Sequence, residues 1–298
     1  MHPPVDIVIP FIGAQQDLER LLEAVPALGP GENDSLTVVD NRPQARSIAV
    51  ESSQVLAAPA VQSSYYARNR GADVGRAEWI LFLDADVVPA PDLLDRYFDQ
   101  APGGGTAVLA GGVVDEAPAD PSARRSWAAA YAYARGHMSQ DNTLGAGQWR
   151  YAQTANCLVL RSAFMDAGGF VENIRSGGDA DLCFRLAAAG WAIESRPEAR
   201  VVHRARRSLR GLVAQRARHG AGAAWLNRRH PGSFPRRRWA GLAVWSLRKG
   251  AGAIIALARG RGEQALLGAL EPLDVWAFEL GRLFSNDAGR ARPRDLTL

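Results

Sequence analysis

Cysteine is scarce in this chain: Cys157 and Cys183 are the only two in 298 residues, and they sit in unlike apolar contexts. A disulfide framework is thereby excluded, and two buried thiols acting as small hydrophobes in a reducing compartment are expected. Long apolar runs are missing as well. The best candidate, "WAGLAVWSLRKGAGAIIALA" from Trp239, is cut by Arg248 and Lys249. No clean run of about 18 apolar residues therefore offers a transmembrane span. The opening "MHPPVDIVIPFIG" has no basic start and its short apolar run meets Pro10, so no signal peptide is expected. The expected location is cytoplasmic, with peripheral attachment at the inner face of the cell membrane left open.

What is present is an ordinary globular composition with a divided charge. Hydrophobic residues make up 47% and charged residues 22%, enough to build a sizeable core. The net charge of +4 conceals an asymmetry: residues 1–199 carry 15 basic and 25 acidic side chains, and residues 200–298 carry 20 and 6. The two parts thus stand at −10 and +14, and the second is expected to meet something anionic. Phospholipid head groups, a polyanionic acceptor and a ligand's own phosphates all qualify. No nucleic-acid-binding motif accompanies the arginines, so nucleic acid is not an expected partner.

Periodicity gives the organisation. "VDIVIP", "SLTVVDN" and "EWILFLDAD" read as strands, separated by amphipathic helices in "AQQDLERLLEAVPAL" and "SSYYARNRGADVGRA". Strand and helix in alternation over the first 86 residues predict an α/β domain with a parallel sheet. "PDLLDRYFDQ" reads as a further helix and "TAVLAGGVVDE" as a further strand. Residues 118–150 are rich in Ala, Gly and aromatics, with no clear period after Arg135, and "GHMSQDNTLGAGQ" reads as a mobile loop. "TANCLVLRSAFMDAGGF" predicts a strand, a short helix and a glycine stop. "GGDADLCFRLAAAGW" predicts a helix with Leu182, Leu186 and Ala189 on one side, and "ARVVHRARRS" a last strand. Residues 206–285 read as Arg- and Ala-rich helices broken near "HPGSFP" and "GRGRG".

Parallel sheets bind ligands beyond the carboxyl ends of their strands. Asp40 and the pair Asp84 and Asp86 lie at such ends. Two carboxylates at the tip of a core strand repel each other and resist desolvation unless something positive sits there. A divalent metal carrying a phosphorylated ligand answers that requirement.

The order of "VDIVIP", "TVVDN", "ARNRGADVGRAEWILFLDAD", "ANCLVLRSAFMDAGGF", "GGDADLCFRLAAAGW" and "RVVHR" resembles the family 2 glycosyltransferases over about residues 5–210. The resemblance implies the GT-A fold, a Rossmann-like, mostly parallel sheet flanked by helices, here with a C-terminal helical extension. It also implies sugar transfer from a nucleoside-diphosphate sugar, with inversion and a UDP donor favoured. The acceptor would be a glycan, lipid-linked or small molecule. Asp84, Ala85 and Asp86 would be the DxD motif, with Mn²⁺ or Mg²⁺ on Asp86. His203 would complete the metal shell or touch the diphosphate, and as a metal ligand imidazole suits Mn²⁺ better. Asp40, Pro10 and Phe11 would border the base, and Arg68 and Asn69 would reach the nucleotide and phosphates. The residue readings beside these are an Asx turn for Asp40, a surface helix face for Arg68 and Asn69, and a structural histidine.

The same resemblance makes Asp179 the general base. Asp181 is its rival, and both also suit the start of a helix. Gly178 departs from the family's usual glutamate. Trp149 and Asn156 fall on the acceptor side, with core packing the other reading of Trp149. Arg204, Arg206 and Arg207 would clamp the diphosphate or stand in water. The expected division is a nucleotide-sugar-binding half at 1–115, an acceptor-binding and catalytic half at 116–205, and a basic helical extension at 206–298. That extension reads either as a helical cap or as a helix on an anionic membrane. Two other readings stand beside the transferase. One is a degenerate GT-A scaffold at the membrane surface; the other is a nucleotidyltransferase, which would want a glycine-rich basic loop where "PFIGAQQD" stands.

Overall fold

In the computed structural model, nine strands form among the described residues, which are 2–50, 53–117, 127–204 and 208–289. They are β1 Val5–Phe11, β2 Ser35–Asp40, β3 Ile48–Val50, β4 Ser53–Ala57, β5 Trp79–Leu83, β6 Val87–Pro89, β7 Thr106–Asp115, β8 Asn156–Leu160 and β9 Ala192–His203. They make one sheet in the order β3-β4-β2-β1-β5-β8-β7-β9-β6. The strands β4, β2, β1 and β5 run parallel, with Ile7 opposite both Leu36 and Leu81. The pairs β5–β8, β7–β8 and β6–β9 are antiparallel, Phe82 facing Cys157 and Val87 facing His203. The mostly apolar runs of β1 and β5 are buried except at Pro10, as parallel strands covered on both faces require.

Ten helices accompany the sheet among the described residues. They are α1 Gln15–Ala24, α2 Ser64–Val74, α3 Leu93–Tyr97, α4 Trp127–Arg135, α5 Gln140–Leu144, α6 Arg161–Asp166, α7 Gly178–Ala188, α8 Leu209–Arg229, α9 Trp239–Ala258 and α10 Gly262–Gly281. The chain divides into two compact units. Among the described residues, the first comprises 2–50, 53–114, 138–204 and 287–289 and holds the sheet; the second comprises 115–117, 127–137 and 208–286 and is helical. The core of the sheet unit gathers Ile7, Ile9, Val38, Leu81, Leu109 and Leu158. Within the helical unit, α4 joins α8 and α10 through Ala128, Tyr131, Leu212 and Leu270.

The sequence pattern located most elements and misjudged some. The expected mobile loop contains α5, fixed by amide side chains: Gln140 Nε2 donates to the carbonyls of Gln153 and Asn156, each at 3.0 Å. Ala189 is exposed rather than sharing the buried side of Leu182 and Leu186. The last strand starts at Ala192, well before "ARVVH". Both cysteines are unpaired and buried, as expected, and burial pushes the Cys183 thiol up to about 12. Residues 118–126, with Arg206 and Arg207, lie outside the described residues.

Candidate active site

The parallel strands β2 and β5 deliver their terminal acids to one edge of the sheet. Asp40 ends β2 opposite Phe11 at the end of β1, and Asp84 follows Leu83 on β5. One strand separates β2 from β5, so these carboxyl ends lie about 10 Å apart across the sheet. Asp86 closes the short connection into β6, whose pairing with β9 sets Val87 against His203. Asp86 Oδ2 and His203 Nε2 consequently stand 3.6 Å apart.

Arg68 arrives from α2. Ser63 caps that helix by accepting from the Tyr65 backbone N–H at 3.3 Å. Gly71 lets the helix press onto β1, where any β-carbon would come within 2.4 Å of Val8. The close seat brings the buried Arg68 guanidinium onto Asp84 in an ion pair and over the Tyr65 ring at 5.6 Å. Burial pushes the Asp84 carboxyl up, Arg68 opposes this, Asp86 adds to it and His203 counters it. These four groups therefore feel one another's charge.

Asp179 comes from the other half of the sheet unit. Gly177 turns into α7 at φ +90°, a backbone conformation that glycine reaches without a β-carbon clash. Asp179 sits in the first turn and accepts from the Ala180 backbone N–H at 3.0 Å. Its carboxyl is also pushed up, first by burial, with Asp84 adding to the shift and Arg68 opposing it. Asp84, Asp86, Arg68, Asp179 and His203 therefore form one electrostatic cluster drawn from four separate stretches of chain.

Other expected contacts take different places. Asn156 is fully buried: its Oδ1 accepts from the Tyr97 hydroxyl at 2.7 Å, and its Nδ2 donates to the carbonyls of Gly112 and Ala199 at 3.0 and 2.7 Å. It locks β8 into the core and offers no surface to an acceptor. Asp181 is likewise 0% exposed and pairs with Arg185 at 2.9 Å. Asn69 spends both amide protons on the Phe170 carbonyl and Glu172, while its Oδ1 accepts from the Phe170 N–H. It thus ties α2 to the glycine stop after α6. Phe11 is buried in the core, while Pro10 and Ala85 are partly exposed at the strand ends. Trp149 is partly exposed and packs edge-on against Phe184 of α7 at 5.0 Å.

Two residues went unrecognised in the sequence. Arg42 covers Asp40 with a bidentate pair, its Nη2 to Oδ2 contact 2.6 Å long, and lies over Phe11 at 5.5 Å. Its backbone N–H donates to Asp40 Oδ1 at 3.0 Å, the Asx turn that "DNR" foreshadowed. The other is Tyr65. A β-carbon on Gly178 would fall 2.7 Å from the Tyr65 ring, so an aromatic from α2 fills the space beside the α7 start where the family usually places a glutamate.

Among the described residues no three His, Cys, Asp or Glu gather as a metal cluster. Asp86 and His203 are close enough for one cation to touch both. Two protein ligands suit a hard cation that completes its shell with phosphate and water.

A sheet whose parallel half ends in these acids, joined to an antiparallel half that carries α7, defines a GT-A glycosyltransferase fold. Residues 3–222 match the family described as "Glycosyltransferase like family 2", and the chain belongs to it. The chain is 30% identical over 245 residues to the pre-mycofactocin glycosyltransferase of Mycobacterium tuberculosis, covering 77% of this chain and 49% of that protein. It thus spans about half the length of that relative. It is 27% identical over 257 residues to the glycosyltransferase AglE of Haloferax volcanii, covering 82% and 80%. In fold it is similar to the mannosyltransferase PcManGT of Pyrobaculum calidifontis, solved with GDP-Man and Mn²⁺. That match has a TM-score of 0.59 at 15% identity, over 93% of this chain and 88% of the other.

Proposed function

We propose that this chain transfers a sugar from a nucleoside-diphosphate sugar to an acceptor hydroxyl, with inversion at the anomeric carbon. The observation that carries the reading is the Arg68–Asp84 ion pair beside the Asp86–His203 contact just past the end of β5, with the Asp179 carboxyl feeling the charge of Arg68 and Asp84. Residues 1–115 would hold the donor and 116–205 the acceptor, with 206–298 as an extension. Asp40 would accept from a ring N–H of the base, with Arg42 fixing its carboxylate. A UDP-sugar is the donor we favour, from the family resemblance. GDP is the competing nucleotide, because the fold relative was solved with GDP-Man.

Asp86 and His203 would hold a divalent cation, Mn²⁺ or Mg²⁺, which when bound neutralises charge on the diphosphate. Asp84 keeps Arg68 in place beside that pair. Asp179 takes the acceptor proton while the acceptor oxygen bonds to the anomeric carbon. The bond from that carbon to the diphosphate oxygen breaks, and the leaving group departs with its electron pair. Burial raises the proton affinity of Asp179 towards that of a useful base. Trp149, held against Phe184 at the side of α7, would offer an aromatic face to the acceptor.

The test is turnover of UDP- and GDP-sugars by the wild-type chain and by Asp179→Asn. The expected result is Mn²⁺-dependent turnover in the wild type and a fall of about 10²–10⁴-fold in the variant with nucleotide binding retained. Donor binding without turnover in the wild type would instead support the scaffold reading.

A further inference from the structure

Helix α9 has one partnered face and one bare face. Its inner side carries the buried Leu242 and Ala253. On that side Ser246 Oγ accepts from Trp276 Nε1 of α10 at 3.0 Å, and Lys249 pairs with Glu271 of α10 at 2.8 Å. Gly268 of α10 allows the close approach, since a β-carbon there would stand 3.1 Å from that of Ala253. The outer side is apolar. Leu247, Ile254 and Leu257 are 75%, 72% and 67% exposed, and Val244 and Ile255 are about half exposed. At about 100° per residue these five side chains span an arc of roughly 160°. Only alanines and a glycine fill the gaps within that arc. Arg248 and Arg259 mark one border, both exposed.

Such a face needs an occupant, and charge names it. Residues 199–262 contain no Asp or Glu and sixteen Lys and Arg, including the exposed run Arg236 to Arg238 just before α9. A second copy would bring two such arginine-bordered faces together with no acid on this stretch to relieve them. By length and composition α9 is able to cross a membrane. Crossing would carry Arg248 and Lys249 to the bilayer centre and strip the inner side from α10. Lying flat leaves the α10 contacts intact, buries the apolar arc and sets the flanking arginines among head groups. That is the arrangement of an interfacial helix with an apolar face and a basic border.

We propose that α9 docks this chain, in plane, on an anionic phospholipid bilayer. The proposal stands on the helical unit alone and does not depend on the reaction assigned to the sheet unit.

The test is flotation of the full chain with phosphatidylcholine vesicles, with and without phosphatidylglycerol, at low and high salt. Binding is expected to the anionic vesicles, weakening as salt rises. Leu247→Glu and Ile254→Glu should each lower partitioning about tenfold or more, because each removes a fully inserted aliphatic side chain. Arg248→Ser with Arg259→Ser should remove the preference for anionic lipid. Leu257→Ser, a milder change on the same arc, gives a second reading if a glutamate variant fails to fold, and unchanged thermal unfolding certifies each variant. Absence of binding, equal binding to neutral vesicles, or binding indifferent to the Leu247, Ile254 and Leu257 changes would overturn the proposal. So would a dimer in solution that the same changes dissolve.

Discussion

Asp179 illustrates how a side chain suited to chemistry weakens the fold that holds it. Burial raises its carboxyl above the ordinary range, so the folded state binds its proton more tightly than the unfolded chain does. Its contribution to stability is present below about pH 4, where both states are protonated, and is lost as the pH rises through the folded value. Asp179→Asn should therefore be more stable than wild type at pH 7, with the difference closing near pH 4. Urea unfolding of both proteins across that range checks the sign, and a variant less stable at neutral pH would contradict it. Gly178 carries a second prediction at this scale. Gly178→Glu forces a β-carbon into the Tyr65 ring and should cost about 1–3 kcal/mol. In a Tyr65→Ala background that cost should shrink, since the two positions share one space. A double-mutant cycle with no coupling would break the link. The aspartates were legible because acids at strand ends stand out in a chain. The tyrosine was not, because its contact joins residues more than a hundred positions apart.

Elements were legible where one period ran long enough. The buried runs of β1 and β5, the amphipathic α1 and the long helices after residue 208 all follow from spacing. Residues 136–147 failed that test because side-chain amides, not a repeating apolar pattern, give α5 its place. Asn156 shows the same limit from the other side. The family resemblance set it on the acceptor side, yet each of its polar atoms is spent within the core. Asn156→Ala would remove the bonds it makes to the Tyr97 hydroxyl and to the Gly112 and Ala199 carbonyls. We expect a loss of about 2–4 kcal/mol in unfolding free energy, from the loss of these buried hydrogen bonds. The turnover number of the remaining folded protein should stay within about twofold of wild type, because the residue acts on the fold rather than the substrate. A large fall in turnover with unchanged stability would restore the acceptor-side role.

At the scale of the molecule, the acids of the sheet edge and the basic helical stretch face different tasks. The edge gathers carboxylates whose repulsion a cation would relieve, and the same cation would offset the charge of a diphosphate. UDP with Mn²⁺ should therefore raise the unfolding temperature more than the two separate shifts added together. Saturation at about 100 times Kd is worth about 2.7 kcal/mol for a ligand that binds only the folded state. A nucleotide shift of the same size in EDTA would rule out the bridging cation. The amino-acid sequence by itself determined the α/β alternation, the family, the terminal acids of β2 and β5, and the concentration of arginine after residue 199. These are properties of neighbouring residues, and local order preserves them. Only the tertiary structure decided that Asn156 and Asp181 are buried, and that Arg42 covers Asp40. It alone placed Tyr65 in the space beside Gly178, grouped α4 with α8 and α10, and left one face of α9 bare. Burial and partnership depend on which distant segments meet, and no spacing along the chain records that meeting.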